Sequence, residues 1–179
     1  MCNLCKTKPV YVFTNKRQVC KTCFIRFFQK KFLYINRKFG LMKKRDVIGY
    51  QKSNTPGSVV LENLLKMFEG KFMINVVKLR SQNARDIDIK SLIKKSSIRT
   101  ISAKDRDRVR SGATHKRGKA EPNFKIALPS TTDTETYSII HNLISGKTQK
   151  SKPLEGQTIK PLYLFTNKQV ELYAKLKGL

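Results

Sequence analysis

Asp46-Val47-Ile48-Gly49-Tyr50 is a short β-type run. After the polar stretch Gln51 to Gly57, residues Ser58 to Glu69 carry the apolar spacing of an amphipathic helix. This is one strand–loop–helix unit, and the chain after it continues to alternate apolar runs with helical patterns. Gly70 stands where a helix C-cap belongs, and Phe72 to Leu79 reads as a second strand. Ile87 to Lys95 reads as a short helix. Asn123 to Leu128 reads as a third strand, feeding a helix from Asp133 to Ser145. That helix opens on Thr132-Asp133-Thr134-Glu135 as a capping box and closes at Gly146. Ile159 to Leu164 reads as a further strand, and Thr166 caps a last helix that runs toward Gly178. Strands alternating with helices predict an α/β fold over residues 41–179, a parallel sheet flanked by helices.

Upstream, residues 1–40 read as a separate unit. All four cysteines lie here, as Cys2-Asn3-Leu4-Cys5 and Cys20-Lys21-Thr22-Cys23. Two CxxC knuckles separated by 14 residues match a structural zinc ribbon with four thiolate ligands. Free thiols, a redox pair and an iron–sulfur cluster are the alternatives. Val10 to Phe13 and the turn Thr14 to Arg17 predict the hairpin that brings the knuckles together. A site closed by four sulfurs folds its segment rather than performing chemistry, so metal removal is expected to unfold residues 1 to about 40. No secretory leader precedes Cys2 and no apolar run approaches about 18 residues, so a reducing compartment, the cytoplasm, and no membrane contact are expected.

The net charge is +26, from 38 Lys and Arg against 12 acids. Such a surface repels itself unless a polyanion neutralises it, and nucleic acid is the leading partner. Met1 to Arg45 holds 13 basic residues and no acid. Phe24 to Phe39 places Phe24, Phe27, Phe28, Phe32, Ile35 and Phe39 at helical spacing, an aromatic stripe that reads as core. Arg26, Lys30, Lys31, Arg37 and Lys38 fall on the remaining surface and are candidate RNA-backbone contacts. Lys104 to Glu121 adds Arg106, Arg108, Arg110, Lys116 and Arg117 in an irregular basic stretch, a second candidate contact, while Gly146 to Gly156 reads as a linker. His115 and His141 have no partner at triad or ligand spacing.

The two cysteine knuckles with Phe24, the basic aromatic helix, the unit Asp46 to Phe68, the segment Ser130 to Gly146, and Lys160-Pro161-Leu162 through Glu171-Leu172-Tyr173 to Gly178-Leu179 together resemble the cytoplasmic tRNA 2-thiolation proteins. The resemblance implies a zinc ribbon followed by a Rossmann-like PP-loop domain of the adenine-nucleotide α-hydrolase type. It also implies a heterodimer with a catalytic PP-loop subunit, tRNA as substrate, and a ubiquitin-like sulfur carrier as donor.

Departures from the family pattern favour the non-catalytic second subunit. Active members carry Ser-Gly-Gly-x-Asp-Ser where this chain reads Ser53-Asn54-Thr55-Pro56-Gly57-Ser58. Only Ser53 and Ser58 fit, both glycines are replaced, and Pro56 removes an N–H that could cradle a phosphate. A later Gly-His-Asn becomes Leu128-Pro129-Ser130, with Asp133 the surviving acid. Ser53, Ser58 and Asp133 thus mark a degenerate nucleotide loop, in which Ser58 also reads as a helix N-cap and Asp133 as a first-turn acid. No cysteine follows Cys23 to carry sulfur or a cluster. The alternatives are an active ATP-dependent tRNA-modifying enzyme with a divergent loop, and a zinc-ribbon ribosome- or RNA-binding protein.

Overall fold

The computed structural model describes residues 1–79, 123–147 and 151–179. The expected helix Ile87 to Lys95 and the basic stretch Lys104 to Glu121 lie outside them.

The chain starts with a minimal antiparallel pair, β1 (Tyr11–Val12) and β2 (Gln18–Val19), whose turn is closed by Phe13 and Arg17. Cys20 is the N-cap of α1 (Lys21–Phe39), so the helix begins inside the second knuckle rather than at Phe24. It ends on Gly40, which sits in the left-handed region at φ 58° and returns its N–H to Arg37 and Asn36 carbonyls. A buried ion pair then locks the entry to the sheet. Lys125 Nζ lies 2.7 Å from Asp46 Oδ2 and donates to the Leu41 carbonyl at 2.7 Å, while Asp46 also accepts from the Lys43 N–H.

Beyond it run β3 (Val47–Gln51), α2 (Pro56–Phe72), β4 (Asn75–Leu79), β5 (Phe124–Ala127), α3 (Thr132–Ile144), β6 (Leu154–Glu155), β7 (Thr158–Ile159) and α4 (Asn167–Lys177). The strands form one sheet in the order β4-β3-β5-β7-β6, parallel except for the β6–β7 hairpin. The expected α/β class is therefore what the chain adopts. After β4 the order reverses across β3, so the carboxyl ends of β3 and β5 make a topological switch point, where such sheets open a crevice.

Strand alternation sorts the side chains. Ile48, Tyr50, Ala127 and Ile159 face the main core with α1, α2 and α4, while Val47, Leu79 and Phe124 form a smaller cluster. Gly49 lies against the second cluster: a Cβ there would sit 2.9 Å from Phe124 Cζ and 3.1 Å from the Leu79 methyls. Residues 1–40 share the main core rather than keeping one of their own. Phe28 of α1 stacks on Phe165 at 4.1 Å and on Tyr173 of α4 at 4.2 Å.

Several boundaries move for identifiable reasons. Gly70 does not stop α2, because Phe68 and Phe72 on either side pack against the core and carry the helix on. Met73 takes the left-handed cap at φ 51° instead, and buried Ile74 closes the turn with its N–H on the Glu69 carbonyl. The second strand accordingly starts at Asn75. The α3 capping box is shifted by one residue: Thr131 and Thr134 reciprocate, and Glu135 instead accepts from Lys160 Nζ at 2.9 Å. The expected strand Ile159 to Leu164 is only Thr158–Ile159, since Pro161 cannot donate to a ladder and Tyr163 and Phe165 bond back into turns. The stretch taken as a linker supplies β6.

Replacing Phe28 with Ala empties a fully buried ring site shared by α1, α4 and the turn at Phe165. The expected loss, read from chemical denaturation midpoints, is about 3–5 kcal/mol.

Candidate functional site

The knuckles are built by local backbone turns. Cys2 N–H bonds to the Thr7 carbonyl, Lys6 adopts φ 58° and bonds back to the Cys2 carbonyl, and Asn3 Oδ1 accepts the Gln18 N–H at 2.9 Å, tying the first knuckle to β2. Cys20 offers its sulfur as α1's N-cap residue, and Cys23 lies in the first turn. The four sulfurs all fall within 4.8 Å of one another, with Cys5 3.2 Å from Cys20 and 3.7 Å from Cys23.

A tetrahedral ion with metal–sulfur bonds of about 2.3 Å sets its ligands roughly 3.8 Å apart, which these contacts match. A cluster gives each iron its own thiolate and needs a wider cage. The donor set therefore fits one ion. Cys2, Cys5, Cys20 and Cys23 would hold it, and with every position filled by protein sulfur it would supply fold rather than reactivity. The thiols cannot all ionise without a cation. Hydrogen bonding, first to Thr7, holds Cys20 down to about 6, whereas burial, then its sulfur neighbours, push Cys23 up to about 12. The Leu4 N–H points at Cys2 Sγ from 3.5 Å, and the positive end of α1 faces the same cluster.

The basic face lies on the helix that leaves the metal centre. Arg26, Lys30, Arg37 and Lys38 are exposed along α1. Among the described residues, none of the four is in an ion pair. Lys31 is set apart from them. It turns inward, half-buried, with Nζ 4.8 Å from the Phe165 ring and 3.4 Å from Gln169 Oε1, and burial pulls its pKa down. Arg106, Arg108, Arg110, Lys116 and Arg117 lie outside the described residues.

At the switch point three helix starts converge on a cavity of about 370 Å³ lined by Thr55, Gly57, Pro129, Thr131, Asn167 and Glu171, among others. Helix N-termini are ready anion sites, but these are already occupied by the chain itself. Ser58, 2% exposed, accepts the Ser53 N–H at 3.0 Å and donates to the Gln51 carbonyl at 2.9 Å, pulling the loop shut. Thr55 caps α2 through the Ser58 N–H, with Pro56 behind it. Asp133 sends its carboxylate to the first N–H of α4, Asn167, at 2.6 Å, and Thr131 donates to Asn167 Oδ1 at 2.6 Å. Gly57 closes the remaining gap: a Cβ there would stand 3.2 Å from the Pro129 carbonyl. Among the described residues, the lining holds an acid, Glu171, and no Lys or Arg. Ser53, Ser58 and Asp133 are thus brought to one end of the sheet, where Ser58 and Asp133 bond backbone groups and the Ser53 hydroxyl pairs with that of Thr55 at 2.9 Å.

One surface escaped sequence reasoning. Helix α3 buries none of its residues, and Tyr137, Ile140, Leu143 and Ile144 are exposed, the last at 82%. Its apolar spacing is that of a core helix, so nothing in the pattern distinguishes the two cases. His141 lies on this helix beside the Tyr137 ring.

No protein family and no curated protein matches this chain in sequence. Among solved structures, the U34-tRNA thiolase NcsA from Methanococcus maripaludis, with its [4Fe-4S] cluster, matches with a TM-score of 0.63. The match covers 99% of this chain and 72% of that one, at 16% sequence identity. The likeness is one of fold. No helix among the described residues is long and apolar enough to cross a membrane.

The purified protein is expected to carry about one metal ion per chain and to be colourless. Chelation should unravel β1, β2 and the knuckles by hydrogen exchange while α1, held by Phe28, Phe32 and Ile35 in the common core, stays protected. A brown, iron- and sulfide-containing protein would replace the single ion with a cluster.

Proposed function

We propose that this chain is a non-catalytic, RNA-binding subunit of the cytoplasmic machinery that 2-thiolates the wobble uridine of tRNA. The observation that carries the reading is the loop after β3, bonded shut by Ser53, Thr55 and Ser58 on the fold of a tRNA thiolase. Adenylating a uridine needs backbone N–H groups and cations around the phosphates of ATP, and thiolating it needs a sulfur carrier. Among the described residues the cavity lining offers no Lys or Arg, and the chain's only cysteines are the four of the ribbon. The thiolase resembled carries a [4Fe-4S] cluster; in this reading Cys2, Cys5, Cys20 and Cys23 would hold a structural zinc ion instead.

In this account the chain contributes its charge and its shape. The acid-free face of α1 holds the tRNA backbone, as does the basic stretch from Arg106 to Lys119. A catalytic PP-loop subunit activates the uridine and receives sulfur from a ubiquitin-like carrier. The exposed apolar residues of α3 support the presence of that heterodimer partner, since water-exposed Ile and Leu on a helix that buries nothing mark a contact surface.

Two measurements check the reading. Isolated protein mixed with tRNA and ATP should release no AMP or pyrophosphate, and release should appear only when a catalytic PP-loop subunit is added. Robust release by this chain alone would make it an active enzyme with a divergent loop. Affinity for tRNA should fall steeply with salt, with a log–log slope of roughly −0.7 per single-stranded phosphate neutralised. A flat salt response would refute electrostatic binding.

A further inference from the structure

Helix α1 spends its aromatic residues almost entirely on packing. Phe24, Phe28 and Phe32 are fully buried, and Phe27 and Phe39 are half-buried against the ribbon and the body. Tyr34 does the opposite. It is 55% exposed, and only one other aromatic residue among those described, Tyr137 on acid-bearing α3, is exposed as well. Tyr34 stands on a helix that carries no acid.

Helical spacing sets its neighbours. Lys30 lies four residues before it, Arg37 and Lys38 three and four residues after, which puts all three beside the ring on the helix surface. Lys38 Nζ is 5.6 Å from the ring centroid. Lys30 and Arg37 are exposed and enter no ion pair among the described residues. A solvated helix face gains nothing from a tyrosine ring, whereas a flat aromatic between free cations is the arrangement that takes a nucleobase on its face and phosphates on its flanks. A base inside a duplex cannot reach such a ring, so the ligand is unpaired RNA.

We propose that Tyr34 is a stacking platform for an unpaired base of the bound RNA, with Lys30, Arg37 and Lys38 holding the phosphates on either side. This rests on the RNA-binding part of the proposed function and adds what that reading lacks: a residue that separates single-stranded from paired RNA.

The test uses the full-length, metal-loaded protein with a labelled single-stranded oligoribonucleotide and a duplex of the same length, each titrated at several salt concentrations. Tyr34→Ala should weaken single-strand binding roughly 5- to 150-fold, leave duplex binding unchanged and leave the salt slope unchanged, because stacking releases no counterions. Tyr34→Phe should bind like the native protein. Lys30→Gln should do the reverse of Tyr34→Ala, lowering the slope by roughly 0.7 with a smaller loss of affinity. Unchanged single-strand affinity in Tyr34→Ala, or equal losses on single strand and duplex, would overturn the platform and leave RNA binding intact. Native protein that ignores both RNAs would overturn both proposals. A Tyr34-dependent preference for phosphatidylserine vesicles over RNA would assign the face to a membrane surface instead.

Discussion

The ring of Phe28 lies between those of Phe165 and Tyr173, and the arrangement of the molecule follows from that stack. It fastens the helix leaving the metal centre to the last helix of the α/β body. A ribbon of this size buries too little to fold alone, and an ion on its four cysteines would hold it at one end. At the other end it is held because α1 is itself part of the main core, through Phe24, Phe28, Phe32 and Ile35. The exposed cations of α1 are thereby carried on a rigid rod of fixed direction rather than on a tethered finger. Binding a polyanion then costs less ordering entropy than it would on a mobile segment.

The same helix divides its chemistry by face. Lys31 shows how sharply: one position from Lys30, it is drawn against Phe165 and Gln169, its charge made costlier by burial. Self-repulsion in so basic a chain is tolerable where the cations look outward into solvent or onto phosphate. Where a cation is buried it has a partner, as Lys125 has Asp46 and Lys160 has Glu135.

At the other end of the sheet the chain has answered its own electrostatic demands. Three helix starts meet at the switch point, and in a nucleotide-binding relative of this architecture the phosphates would satisfy them. Here Thr55, Thr131, Thr166 and Asp133 do so, while Ser58 ties down the loop before α2. A side chain that caps a helix is always present at high local concentration, so an incoming anion must displace it. The crevice survives as a cavity of about 370 Å³, lined by hydroxyls, an amide and a carboxylate.

The amino-acid sequence by itself determined the local choices. The two CxxC pairs, the amphipathic spacing of Phe24 to Phe39 and the alternation of β runs with helices each depend on neighbours a few residues apart, and each is found in the structure. The tertiary structure decided what depends on distant partners. Burial of Phe72 carried α2 past Gly70, and Lys160 drew Glu135 out of the expected cap. The shared core merged the ribbon's helix with the body. Exposure was illegible for the same reason: α3 has the apolar rhythm of a core helix, and Tyr34 that of an ordinary surface position. Whether such a face meets water is set by the elements packed beside it, and no periodicity along one helix encodes that.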